Sequence, residues 1–104
     1  MARNHWTILG EIDPALNDKI TAWRTHLLAD EETLPRKYRE LINVAMGCLT
    51  RIEPIILAHA KLAHQHGATK REIVAAVAQA LTMGGNPAFR AGMLALDAFL
   101  QEID

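Results

Sequence analysis

One cysteine, Cys48, stands among 104 residues. It cannot close a disulfide within the chain, which excludes the framework of a small stapled secreted domain. Basic runs are short. The longest, Arg36-Lys37-Tyr38-Arg39, is followed at once by Glu40, and the net charge is only −1. Nothing here has the footprint of a phosphate-backbone reader, so no nucleic-acid partner is expected. No apolar run approaches the roughly 20 residues that cross a bilayer, so no membrane partner is expected either. The opening Met1-Ala2-Arg3-Asn4-His5-Trp6 lacks the apolar stretch of a signal peptide, and a cytoplasmic location is the expectation. No segment alternates with period two, which leaves no candidate strand. Low-complexity segments and internal repeats are also missing.

What is present is helix-forming. Half the residues are apolar, Ala, Leu and Ile dominate, and only five are aromatic. A chain this short reads as one domain, 1–104, with a limited core of its own. Its apolar residues exceed what such a core hides, which predicts an obligate homo-oligomer with a buried subunit interface. The punctuation predicts about five helices. The first follows the Asp13-Pro14 cap, runs to about Ala29, and carries Leu16, Ile20, Trp23 and Leu27 on one face. The second opens at Leu34-Pro35 and runs to about Thr50. Its stripe Tyr38, Leu41, Ala45 and Cys48 is flanked by Ile42, Met46 and Leu49, a sector wide enough to predict burial on more than one side. A break falls at Arg51-Ile52-Glu53, before Pro54. The third helix runs from Pro54 to about His66 and stops at Gly67. Thr69-Lys70-Arg71-Glu72 reads as a capping box. The fourth helix follows it, with Ile73, Val77, Ala80, Leu81 and Gly84 on one face. Gly84-Gly85-Asn86-Pro87 ends it and begins the fifth, which carries Phe89, Met93, Leu96, Leu100 and Ile103.

Between the second and third helices the chain reads Glu40-x11-Ile52-Glu53-Pro54-Ile55-x3-His59. It is preceded by Leu34-Pro35-Arg36-Lys37-Tyr38-Arg39, and followed by Ala60-Lys61 and then Gly67-Ala68-Thr69-Lys70-Arg71-Glu72-Ile73. The pattern resembles the Glu-x11-Cys-x2-Cys-x3-His signature of the alkylhydroperoxidase D and carboxymuconolactone decarboxylase superfamily. Ile52 and Ile55 occupy the positions of the two redox cysteines. The resemblance covers about 90 residues, from Asp13 to the end. It implies an all-α orthogonal helical bundle that assembles as a homotrimer, or as a hexamer built from trimers.

Glu40 and His59 stand where that superfamily keeps its acidic and imidazole groups. His59 lies on the apolar stripe Ile55, His59, Leu62 and His66, where an imidazole is partly desolvated and suited to acid–base work. The residues alone equally allow a core histidine satisfied by one hydrogen bond. Glu40 sits among apolar neighbours with Gly47 seven residues on, a gap that admits a ligand or a second helix. The residues alone also allow a surface Arg36–Glu40 pair at i, i+4. Arg51, at the turn, is a candidate clamp for a substrate carboxylate through paired hydrogen bonds, with a solvated loop arginine as the alternative. Ile52 and Ile55 would wall the substrate site with apolar surface. Cys48 lies a turn before Ile52 and looks like packing. His64 and His66 project roughly 200° apart on a helix, so no metal site is expected. No cofactor is expected.

A dithiol relay requires an attacking thiolate and a second sulfur to resolve the product. Isoleucine supplies neither, so thiol-peroxidase chemistry is disfavoured. The favoured reading is a lyase of the carboxymuconolactone decarboxylase type. It would carry out cofactor-free decarboxylation or proton transfer on a small carboxylated lactone or related acid, with His59 as acid or base and Glu40 orienting it. The alternative is a non-enzymatic oligomer that binds a ligand.

Overall fold

A computed structural model describes residues 2–104. Six α-helices follow in order: α1 His5–Ile12, α2 Pro14–Ala29, α3 Arg36–Thr50, α4 Glu53–Gln65, α5 Lys70–Gln79 and α6 Leu81–Glu102. Among the described residues there is no strand. None of the helices is long and apolar enough to cross a membrane. The described chain divides into two compact units, 2–33 and 34–104.

The first unit is a pair of helices. The sequence predicts only its second helix; α1 is an additional element. Asn4 nucleates α1, its Oδ1 accepting from the Thr7 backbone N–H at 2.9 Å. Asp13 caps α2 through the Leu16 N–H at 3.1 Å, and Pro14 follows in the first turn, as expected. The two helices approach where Gly10 faces Asn17, and the Arg24 guanidinium stands 4.3 Å from the Trp6 ring centroid. Neither helix has a buried residue. The apolar face expected of α2 is open: Leu16, Trp23 and Leu27 are all exposed, Trp23 by 62 %. A pair of helices meeting along one narrow seam cannot cover a stripe that faces away from the seam.

The second unit holds the core: Val44, Cys48, Ile56, Ala60, Ala63, Ala68, Ile73, Val77, Ala80, Ala88 and Leu96. Helices α3 and α4 form an antiparallel hairpin. Its turn is Arg51, in left-handed geometry (φ 58°, ψ 22°), whose N–H donates to the Gly47 and Cys48 carbonyls. The Thr50 hydroxyl donates to the Gly47 carbonyl at 2.6 Å and accepts from the Ile52 N–H at 3.2 Å, binding the turn from both sides. Pro54 then occupies the first turn of α4, where its missing N–H costs nothing. At Gly67 (φ 97°) the chain leaves α4, and the Ala68 N–H reaches back to the Ala63 carbonyl at 2.9 Å. The Thr69–Glu72 capping box is complete, with both reciprocal bonds present.

Two further expectations are corrected. The helix after Thr69 stops at Gln79 rather than reaching Gly84, because the Ala80 N–H tightens onto the Val77 and Ala78 carbonyls. Helix α6 then starts with one short turn and kinks at Gly85 (φ 67°, ψ −166°), two residues before Pro87. The Gly85 break is where the sequence places it, and the element boundary is not. Second, α3 turns Arg39, Glu40, Val44, Gly47 and Cys48 inward, whereas Tyr38, Ile42, Met46 and Leu49 are exposed. The buried stripe is rotated from the expected one and carries a carboxylate.

Candidate functional site

Glu40 lies on α3 one turn in from its start, and His59 sits midway along α4. The hairpin aligns them, and α3 and α4 meet closely at Gly47. A Cβ built at Gly47 would stand 3.4 Å from the Ile55 side chain and 3.5 Å from the Ile56 backbone. The gap at Gly47 therefore admits a helix, not a ligand. Seven residues back along α3, on the same side, Glu40 meets α4 again at His59. Their contact is short: Glu40 Oε2 lies 2.8 Å from His59 Nδ1.

The carboxylate is buried, only 3 % exposed, while the imidazole keeps about a third of its side-chain surface open. The other carboxylate oxygen is also held. Arg36 Nε donates to Oε1 at 3.2 Å, and Asn43 Nδ2 donates to the same oxygen at 3.4 Å. Both readings of Glu40 left open by the sequence therefore hold together: it pairs with Arg36 along α3 and with His59 across the hairpin. Burial pushes the Glu40 carboxyl upward, but the hydrogen bonds and charges of His59 and Arg36 outweigh it and leave the group below its ordinary value of 4.5. The carboxylate is anionic at neutral pH and accepts from His59. A neutral imidazole so bound carries its proton on Nδ1, which leaves the Nε2 lone pair free.

The remaining candidates are placed differently. Ile52 caps α4 and Ile55 follows in its first turn, 48 % and 39 % exposed. Both keep part of their surface open, and the Ile55 side chain also lies against Gly47 of α3. Arg51 is exposed at the hairpin turn, and its side chain joins no ion pair among the described residues. Cys48 is fully buried, with its thiol pushed upward by that burial. No cluster of three or more potential metal ligands occurs among the described residues. His64 is engaged elsewhere, through the Ala68 carbonyl at 3.1 Å and the edge of Phe99.

Sequence reasoning missed the inward roles of Arg36 and Asn43. The signal was there: positions 36, 40 and 43 fall on one helical face. Treating Arg36–Glu40 and Glu40–His59 as exclusive hid it.

The family model of the carboxymuconolactone decarboxylase family matches residues 14–98. The chain belongs to this family. The match contains Arg36, Glu40, Asn43, Arg51, Ile52, Ile55 and His59. No curated protein and no solved structure matches the chain.

Proposed function

We propose that this family member carries out cofactor-free acid–base chemistry on a small carboxylated lactone or related acid, by decarboxylation or proton transfer. The observation that carries the reading is the 2.8 Å contact between a buried, ionised Glu40 and the half-open ring of His59. His59 Nε2 is the working atom. It takes a proton from the substrate, or returns one after the bond to the carboxylate breaks. In that step carbon dioxide leaves, and the electron pair passes into the neighbouring unsaturated carbonyl system. His59, an imidazolium after taking up a proton at Nε2 from the substrate's carboxylic acid or from water, returns that proton to the resulting carbanion equivalent. Glu40 stabilises the imidazolium formed along the way and holds the ring in place.

Arg51 supplies the substrate's counter-charge in this proposal, and Ile52 and Ile55 supply apolar walls. The chain assembles with itself, as a trimer or a hexamer. The exposed row Tyr38, Ile42, Met46 and Leu49 on α3 supports self-assembly, because repeated large apolar side chains on one helix face favour a covering partner.

The test is a panel of small carboxylated lactones and unsaturated acids assayed for carbon dioxide release and for solvent deuterium incorporation. His59→Ala should lower kcat by about 100-fold or more, within the range of a lost general acid or base. Arg51→Gln should raise KM more than it lowers kcat. Turnover that survives His59→Ala overturns the assignment.

A second reading, a ligand-binding oligomer without catalysis, is favoured by the partly exposed apolar side chains of Ile52 and Ile55. It predicts thermal stabilisation by a panel compound that His59→Ala leaves intact, with no product. Thiol-peroxidase chemistry stays disfavoured, since Ile52 and Ile55 lack sulfur and Cys48 is buried and protonated.

A further inference from the structure

The contact between Glu40 and His59 is by itself ambiguous. An ionised Glu40 accepts from Nδ1–H, leaving Nε2 as a base. A protonated Glu40 donates to a bare Nδ1, and the ring proton then sits on Nε2, which becomes a donor. Both arrangements satisfy the same 2.8 Å distance. Burial of the carboxylate favours the second arrangement, because desolvation penalises the charged form. A fixed positive charge beside the carboxylate is needed to select the first.

Arg36 supplies that charge. A guanidinium stays charged, and Arg36 Nε lies 3.2 Å from Glu40 Oε1; that oxygen accepts in either arrangement, so it is the fixed positive charge that favours the ionised carboxylate. Its position is set by sequence spacing: Arg36 opens α3 and Glu40 follows one turn later on the same face. Its side chain is itself only 22 % exposed. Asn43 adds a weaker donor to the same oxygen.

We propose that Arg36 is a positioning residue. It holds Glu40 as a carboxylate with Oε2 turned to His59, and thereby fixes the Nδ1–H tautomer and leaves Nε2 as the basic nitrogen. This inference deepens the acid–base reading and rests on it for its consequence in catalysis. The charged surroundings of Glu40 allow the assignment. On α3, Arg39 is buried beside it and Lys37 pairs with Glu72 of α5 at 3.0 Å. On α4 the facing group is His59. The charged residues of α6, Arg90, Asp97 and Glu102, are all exposed.

The experiment is NMR on the full chain and needs no substrate. Long-range proton–nitrogen correlation of the histidine rings reports the His59 tautomer, and the Glu40 carboxyl carbon reports its titration midpoint. In the native chain Nδ1 should carry the proton at alkaline pH, and Glu40 should titrate below an ordinary glutamate. Arg36→Gln should raise the Glu40 midpoint by about one unit or more, a tenfold change in its proton affinity, and bring in the Nε2–H tautomer. Arg36→Lys, which keeps a donor-only cation, should retain the native tautomer. A merely structural ion pair would leave the tautomer unmoved in both variants. The proposal is overturned if Arg36→Gln keeps the native midpoint and tautomer. It is also overturned if the native chain already shows Nε2–H at alkaline pH, a result that requires no variant to fold. Failure of the lactone panel would remove the proposed reaction and leave this result standing. Failure of the NMR result would leave the panel untouched.

Discussion

Residues 2–33 and 34–104 are both rich in leucine and isoleucine at helical spacing, yet only the second unit buries any of them fully. In α2, Leu16, Ile20, Trp23 and Leu27 recur as regularly as Ile73 and Val77 do in α5. Ile73 and Val77 are fully buried, while Trp23 and Leu27 are 62 % and 48 % exposed. Periodicity shows that a helix has an apolar face. It does not show that the same chain supplies the cover. That depends on how many neighbours a helix has, and in the second unit α3 to α6 pack on one another.

The sharpest way to break the contrast is a matched pair of truncations. Leu96→Ala removes a fully buried side chain and should cost about 2–5 kcal/mol in urea denaturation. Leu27→Ala should stay within about 0.5 kcal/mol. Equal losses would mean that the α2 face is covered in solution, and the two units would then differ only in what covers them.

A second test lies within the core. A Cβ at Gly92 would fall 2.5 Å from Cys48 Sγ and 2.7 Å from Val77 Cγ1, so α6 can approach α3 and α5 only through glycine. Gly92→Ala should cost about 1–3 kcal/mol through overpacking. Gly47→Ala meets its neighbours at ordinary contact distances of 3.4–3.5 Å and should cost clearly less. This pair separates a position where backbone closeness is required from one where it is merely used. It also accounts for Cys48 as a buried packing group.

Glu40 is the buried carboxylate of the second unit, and acid should reveal it. Its folded pKa is lowered from 4.5 by His59 and Arg36 in spite of burial. The stabilisation is therefore fully present above the unfolded value and is lost as pH falls through the folded one. Native stability should decline below about pH 4.5 with a component that Glu40→Gln removes. At neutral pH the same substitution should cost about 1–3 kcal/mol, since it weakens bonds made to a buried charged acceptor. An unchanged acid limb in Glu40→Gln would mean that the carboxylate is not held as the geometry indicates.

The sequence made the caps legible because their chemistry is local. Asp13-Pro14 and the Thr69–Glu72 box need only a few consecutive residues, and both are formed. Asn4 offered the same kind of signal three residues before Thr7, but the short stretch behind it has too few apolar repeats to read as a helix. The site was legible as a pair of residue types at a fixed spacing. The inward turn of α3 was not, because its apolar residues Tyr38, Leu41, Ile42, Ala45, Met46 and Leu49 spread over a broad sector, while the buried side includes the charged Arg39 and Glu40. What selects it is tertiary: Gly47 admits α4, and Arg36 and His59 make an inward Glu40 tolerable.

The smallest effect tests the first unit on its own terms. With no buried residue in α1 or α2, the Arg24–Trp6 stack joins the two helices, while the caps and the Arg3–Glu11 ion pair support them individually. A guanidinium 4.3 Å from an indole centroid at an exposed site is worth about 0.5–1 kcal/mol. Arg24→Ala should therefore leave the main unfolding transition in place and shift Trp6 emission, because the indole loses its cationic neighbour. Arg24→Lys should restore part of the shift, since ammonium attracts the ring without the planar overlap. If Arg24→Ala instead moved the transition of the whole chain by several kcal/mol, the stack would carry far more than an exposed contact of this kind is worth. The contrast between the units would then be one of cover and not of stability.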